Sequence, residues 1–151
     1  MITIEEFKKK QTTKTRLIGL DLGSKRIGIS ICDERQSIAT PFKTISRINT
    51  LELINELKDI VVENNVKGIV IGNPLNMDGT LGSSAQSVKD ISTNISKSIN
   101  LPVFLWDERL STVGAFSLSR QLDVNITKKI KKIDENAAAF ILQGAIDYLN
   151  N

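Results

Sequence analysis

No histidine occurs anywhere in this 151-residue chain, and Cys32 is its single cysteine. Intrachain disulfides, Cys/His zinc sites and histidine general bases are therefore all excluded. Long hydrophobic runs are missing too. No apolar stretch approaches the roughly 18 residues that a membrane span requires, and the N-terminal MITIEEFKKKQTTK lacks the apolar centre of a secretory signal. The expectation is a cytoplasmic protein with no membrane partner. An enzyme built from what remains has to work with carboxylates, lysines, hydroxyls or a metal held by oxygen.

What is present fits one globular domain. With 40% hydrophobic and 25% charged residues the composition is close to the globular average, and the length suits one core rather than two. The formal charge of +3 says little about a polyanionic partner. Its distribution says more. Lys8, Lys9 and Lys10 cluster near the N-terminus, and Lys128, Lys129, Lys131 and Lys132 crowd the stretch before Asp134. The first cluster reads as ordinary solvated surface.

Residues 1–15 show helical character around 4–10 without a strong apolar period, and read as an extension to a domain over 16–151. Residues 16–22 and 27–31 are apolar and β-prone around a Gly23-Ser24-Lys25 turn, which predicts a hairpin. A third strand lies within 37–45, and Pro41 assigns it to an edge or an irregularity. Leu51, Ile54, Leu57, Ile60 and Val61 give residues 50–64 an amphipathic helical face, closed by Asn64-Asn65. The run GIVIG at 68–72 has the pattern of a central parallel strand. A polar loop, a helix over 84–98, a strand ending near Asp107, a helix from Ser111 or Thr112 and a last helix from Asp134 complete the chain. The order β-β-β-α-β-α-β-α-α predicts an α/β fold, a mixed sheet covered by helices.

Three acids then stand at the ends of elements. Asp21 interrupts the apolar run LDLGSKRIGIS near the end of the first strand, and a buried carboxylate is costly unless compensated. Glu108 follows a later strand, and Asp134 opens the last helix. Function gathers at the carboxyl ends of parallel strands, so Asp21 and Glu108 are expected neighbours. Asp134 joins them if its helix crosses the sheet, with Ala137, Ala138 and Ala139 permitting close approach. Clustered carboxylates raise one another's pKa unless a cation neutralises them. Oxygen-only ligation selects a hard ion, Mg²⁺ or Mn²⁺.

Each acid also has a plainer reading. Asp134 suits a helix N-cap, Asp21 suits the start of a turn with Gly23, and Glu108 suits an ion pair with Arg109 or Arg26, leaving Asp107 as the functional acid. Taken together and without histidine, the three converge on two-metal phosphodiester hydrolysis. There, ions about 4 Å apart activate water, hold the phosphate and stabilise the leaving oxyanion. Gly23 and Gly28 leave room for a nucleic-acid backbone, or alternatively serve only turn and packing geometry. Ser24, Lys25 and Arg26 are placed to meet phosphates.

The stretches LDLGSKRIGIS, GNPLNMDGT, WDERLST and IDENAAAFILQ, in this order, resemble the bacterial YqgF family of Holliday junction resolvase-like proteins, also described as pre-16S ribosomal RNA nucleases. The resemblance spans residues 16–150. It implies an RNase H-like fold with a five-stranded mixed sheet, and matches Asp21, Glu108 and Asp134 to the family's acids as catalytic residues and metal ligands. It also implies metal-dependent trimming of the 5′ end of precursor 16S rRNA. One departure is Asn73, polar where many relatives carry an apolar residue before Pro74.

Expected substrate contacts are Lys25, Arg26, Asn76, Arg109, Ser111, Thr112 and the lysines Lys128, Lys129, Lys131 and Lys132. For the loop bearing Asn73, Asn76, Asp78 and Thr80 the alternative is a self-hydrogen-bonded Asx turn. The competing functions are a DNA four-way-junction resolvase, which requires a dimer, and a non-catalytic RNA-binding ribosome assembly factor. Partners are thus precursor rRNA or branched DNA, and the chain is a monomer or a homodimer. Nucleotide binding of the sugar-kinase kind is disfavoured, because no second phosphate-loop signature appears.

Overall fold

A computed structural model describes residues 1–47, 49–75, 78–80, 82–110 and 126–151, and over 126–135 the backbone alone. Five strands form one mixed sheet: β1 (Arg16–Leu22), β2 (Arg26–Cys32), β3 (Ala39–Ser46), β4 (Val66–Asn73) and β5 (Val103–Asp107), in the spatial order β3-β2-β1-β4-β5. β1 is antiparallel to β2 and parallel to β4, and β4 is parallel to β5. The hairpin and the two parallel strands expected from the sequence are all present. β3 is an edge strand whose pairing with β2 skips a residue between Lys43 and Pro41. Both the edge position and the irregularity follow from the amide hydrogen that Pro41 lacks.

Alternation along β1 sorts its side chains into two layers. Ile18 and Leu20 enter a core with Leu53, Ile54, Leu57 and Ile60 of α2 (Thr50–Asn64) and Val88, Ile91 and Ile95 of α3 (Ser83–Ser98). Leu17 enters the opposite core with Val70, Phe104, Trp106 and the final helix. Asn49 caps α2 by accepting from the Glu52 amide, and Asn65 ends it in the left-handed region at φ 53. Leu51, expected on the buried face, is exposed, and Leu53 takes that place. At about 100° per residue the two lie on opposite sides of the helix.

Residues 1–15 carry α1 (Ile4–Lys10), capped by the Thr3 hydroxyl. Ile4 and Phe7 are buried, Phe7 stacks on Phe104 at 4.9 Å, and the Ile2 amide donates to the Val103 carbonyl at 3.1 Å. The segment therefore covers the edge of β5, which would otherwise offer unsatisfied backbone groups.

The last helix, α4 (Ile126–Leu149), corrects the expected start at Asp134. In sequence Ile126, Ile130, Ile133 and Ala137 continue the three- and four-residue spacing, and lysine is a good helix former, so the helix extends two turns earlier. Asp134 is thus an interior helical position, not an N-cap. The helix expected from Ser111 or Thr112 falls outside the described residues. α4 lies tightly on the sheet: Ala137 and Ala138 are buried, and the Ser30 hydroxyl donates to the Ala138 carbonyl at 2.7 Å. A Cβ added to Gly19 would come within 2.7 Å of Leu142 Cβ and 3.0 Å of the Ala138 carbonyl oxygen. The small residues on both surfaces are what let helix and strand approach.

Candidate active site

Asp21 is half-buried near the end of β1, two residues beyond Gly19 and therefore on the α4 face of the sheet. Its cross-strand partner is Gly28, which places no side chain beside the carboxylate. The turn that follows is tightly built. The Gly23 amide donates to the Asp21 carbonyl at 3.1 Å, and a Cβ on Gly23 would lie 2.5 Å from the Arg26 carbonyl oxygen. Arg47 pins the turn, its Nη1 donating to the Gly23 carbonyl at 3.0 Å and its amide to the Lys25 carbonyl at 3.0 Å. Lys25 is exposed in this turn. Arg26 opens β2 on the face shared by Gly28 and Ser30.

Glu108 opens a single 3₁₀ turn (Glu108–Leu110) directly after β5. A Cβ on Gly72 would lie 3.3 Å from the Glu108 carboxyl carbon and 2.5 Å from Ile141 Cδ1, so the carboxyl rests over β4 beside α4. Burial pushes its pKa up to about 7, and the negative charges of Asp21 and then Asp107 push the same way. Asp21 and Glu108 thus share one electrostatic field, the ends of β1 and β5 flanking β4, over which the Glu108 carboxyl leans. The alternation along β4 leaves Gly72 on this face, and the missing side chain is the space the carboxyl occupies.

Asp107 has the opposite environment. Its carboxylate accepts from the Arg109 amide at 3.0 Å, from Arg109 Nε at 3.0 and 3.1 Å, and from Nη2 at 2.6 Å. The Arg109 guanidinium holds its pKa below the usual carboxylate range. Of the two adjacent acids, Asp107 is committed to its arginine and Glu108 faces Asp21. The same arginine meets the loop after β4. A Cβ on Gly79, at φ +86, would lie 3.3 Å from Arg109 Nη1, and Asp78 adds a favourable charge. Asp78 itself accepts from the Thr80 amide and hydroxyl at 3.0 and 2.7 Å, which makes this half of the loop an Asx turn. The Asn73 side-chain oxygen is buried without a hydrogen bond.

Asp134 sits one turn before Ala138 on the helix that crosses β1, and its side chain lies outside the described atoms. The same holds for Lys128, Lys129, Lys131 and Lys132 in the first two turns of α4. Asn76, Ser111 and Thr112 are outside the described residues altogether. Among the described residues no group of three His, Cys, Asp or Glu side chains is arranged for a metal. The pair that is described has the right chemistry for a hard divalent cation: two carboxylates near enough to repel, offering oxygen alone, with Gly28 placing no side chain beside Asp21.

Residues that sequence reasoning did not single out are Ser30 and Gly19, which dock α4, and Gly72, which seats Glu108. The Asp-x-Arg spacing at 107 and 109 was the one available signal for the clasp.

The chain matches the family described as RuvX, Holliday junction resolvase, over residues 15–148. Among similar proteins, one from Pelagibacter ubique described as "Putative pre-16S rRNA nuclease" is 74% identical over 151 residues, covering 100% of both chains. One of the same description from Cereibacter sphaeroides is 43% identical, covering 98% of this chain and 92% of its own. In fold the chain is similar to T. thermophilus RuvC in complex with a Holliday junction, with TM-score 0.50 and 10% identity over 89% of this chain and 94% of that one. The yeast mitochondrial Holliday junction resolvase gives TM-score 0.50 and 11% identity over 97% and 84%. The shared architecture is the RNase H-like fold. Matched along nearly its whole length, the chain belongs to the RuvX family.

Proposed function

We propose that this chain is a metal-dependent endonuclease that trims the 5′ end of precursor 16S rRNA in the cytoplasm. The observation that carries the reading is the convergence of Asp21 and Glu108 on the α4 face, at the ends of the two strands that flank β4, in a chain 74% identical to a protein described as "Putative pre-16S rRNA nuclease". Residues 16–151 are the nuclease domain and 1–15 its extension.

Asp21, Glu108 and Asp134 would hold Mg²⁺ or Mn²⁺. When bound there, such an ion supplies Lewis-acid activation of the attacking water and charge stabilisation of the departing oxygen. The protein's own part is placement. Asp21 is fixed by the hairpin register and Glu108 by its seat over Gly72, so neither carboxylate has to reorganise as charge develops. Before ion binding, a pKa of about 7 leaves Glu108 roughly half protonated at neutral pH, which eases its repulsion with Asp21. Lys25 and Arg26 of the hairpin turn, with Arg109, Ser111, Thr112 and Asn76, contact the substrate backbone. Lys128, Lys129, Lys131 and Lys132 extend that contact along α4.

The family's own description favours a second reading, resolution of four-way DNA junctions by a homodimer. The two are separated by incubating the protein with a 5′-extended precursor 16S fragment and with a synthetic four-way junction, each in Mg²⁺, Mn²⁺ or EDTA. Cleavage of the RNA alone, abolished by EDTA, is expected of a monomeric RNA-processing enzyme. Paired symmetric cuts in the junction would replace that reading with the resolvase. Tight RNA binding without any cut would replace it with a non-catalytic assembly factor.

A further inference from the structure

Asp21 lies one residue before the last rung of the β1–β2 ladder, where Leu22 pairs with Ile27 and the chain leaves the sheet through Gly23, Ser24 and Lys25. Ser24 and Lys25 are exposed, so burial does little to hold this turn. A hairpin end of this kind frays unless its backbone groups are tied to something firmer. The acid thus stands where the ladder alone is least able to fix it.

The tie comes from Arg47, the residue directly after β3. Its amide donates to the Lys25 carbonyl and its Nη1 to the Gly23 carbonyl, both at 3.0 Å, so one residue grips the turn on either side of Ser24. The Gly23 amide donates in turn to the Asp21 carbonyl at 3.1 Å, which carries the run of hydrogen bonds from the guanidinium through Gly23 to the acid's own backbone. The side-chain bond is charge-assisted, the stronger kind, and Arg47 is half-buried, which limits competition from water. Arg47 has an anchor of its own. Two residues further on, Asn49 caps α2 by accepting from the Glu52 amide at 2.9 Å, and Leu53 and Ile54 fix that helix in the core. Lys25 presents its charge to solvent from the same turn, whereas Arg47 directs a donor into the protein.

We propose that Arg47 is the positioning residue of Asp21: it holds the hairpin turn so that the carboxylate is set for the divalent ion, and it contacts the RNA at no step. Groups that orient a metal ligand from behind set the affinity for the ion nearly as much as the ligands do. This rests on the reading of Asp21 as an ion ligand in a nuclease and adds the residue that supports it.

The experiment compares the full-length wild type with Arg47→Met, which removes the donors and keeps the aliphatic reach, and with Arg47→Lys, which keeps a charged donor. Mn²⁺ alone is titrated into each without RNA and followed by the electron spin resonance of the free ion, well below the melting temperature found by circular dichroism. Arg47→Met should weaken Mn²⁺ binding about tenfold, and Arg47→Lys should recover part of the loss. Affinity for a single-stranded 5′-extended precursor 16S fragment in EDTA, and its dependence on salt, should be the same in all three proteins, since Lys25 and Arg26 keep their charges. If Arg47→Met does not fold, Arg47→Gln, too short to reach Gly23, takes its place with the same expectation. Unchanged Mn²⁺ affinity in the folded variant, or equal weakening by Met and Lys, would overturn the proposal. So would a salt slope shallower by about 0.7, which makes Arg47 a phosphate contact. Wild type that binds Mn²⁺ and cuts RNA beside an Arg47→Met protein that binds Mn²⁺ equally well removes only the role of Arg47. The expected Mn²⁺ pattern in a wild type that cuts no RNA removes only the nuclease reading, and a wild type that binds no Mn²⁺ removes both.

Discussion

Asp107 and Glu108 are neighbours in sequence with opposite electrostatics, one ion-paired and the other buried beside a like charge. Sequence alone favoured Glu108 but kept Asp107 as an alternative, because which of them faces the site depends on where β5 ends and on the alternation of its side chains. Asp21 was legible for the opposite reason: a carboxylate inside an apolar run is anomalous in any register. The raised pKa of Glu108 has a measurable sign. Its folded value of about 7 lies above the ordinary 4.5, so between these values the folded state binds more protons and stability falls as pH rises. Without metal, Glu108→Gln should therefore stabilise the protein at pH 8, by up to about 3 kcal/mol, and have little effect at pH 4. Thermal melts in EDTA at the two pH values check this. Asp107→Ala should cost about 1 kcal/mol, comparable to loss of a helix cap, at both pH 6 and pH 8, since its pKa lies below both. Urea titrations test that contrast.

At the scale of elements, α4 positions the site. It was read correctly from Ala137 to Leu149, where buried small and branched residues repeat at helical spacing, and wrongly before that. An aspartate ahead of three alanines imitates a helix start and outweighs the spacing of Ile126, Ile130 and Ile133, which carries the helix two turns further back. The close approach at Gly19 was invisible for a related reason: the absence of a side chain has no meaning until the facing residues, Ser30, Ala138 and Leu142, are known. Gly19→Ala would bring a methyl within 2.6 Å of Ser30 Oγ and 2.7 Å of Leu142 Cβ. The expected cost is about 1–3 kcal/mol of overpacking. Because α4 and β1 must separate to admit the methyl, cleavage should fall beyond what the unfolded fraction explains. Measuring activity well below the variant's melting temperature tests the second part.

For the whole molecule, composition gave the class and the alternation of strands and helices gave the sheet, since long elements with clear periods tolerate errors at their ends. Charge is the property that remains distributed. With a net charge of +3, affinity for a polyanion has to come from local clusters, and the helix-borne lysines Lys128, Lys129, Lys131 and Lys132 are the densest near the site in sequence. Replacing all four with glutamine should weaken RNA binding. Every phosphate left without its lysine should flatten the dependence of log affinity on log salt by about 0.7 for a single strand. Catalysis, by contrast, is proposed to rest on the acids that would hold the ion, Asp21 among them. The most direct measurement is the cleavage rate of 5′-extended precursor 16S RNA in Mg²⁺ by the wild type and by Asp21→Asn, with RNA affinity measured in parallel. The prediction is that the variant binds RNA as well as the wild type and does not cut it; an Asp21→Asn protein that cuts at the wild-type rate would contradict it.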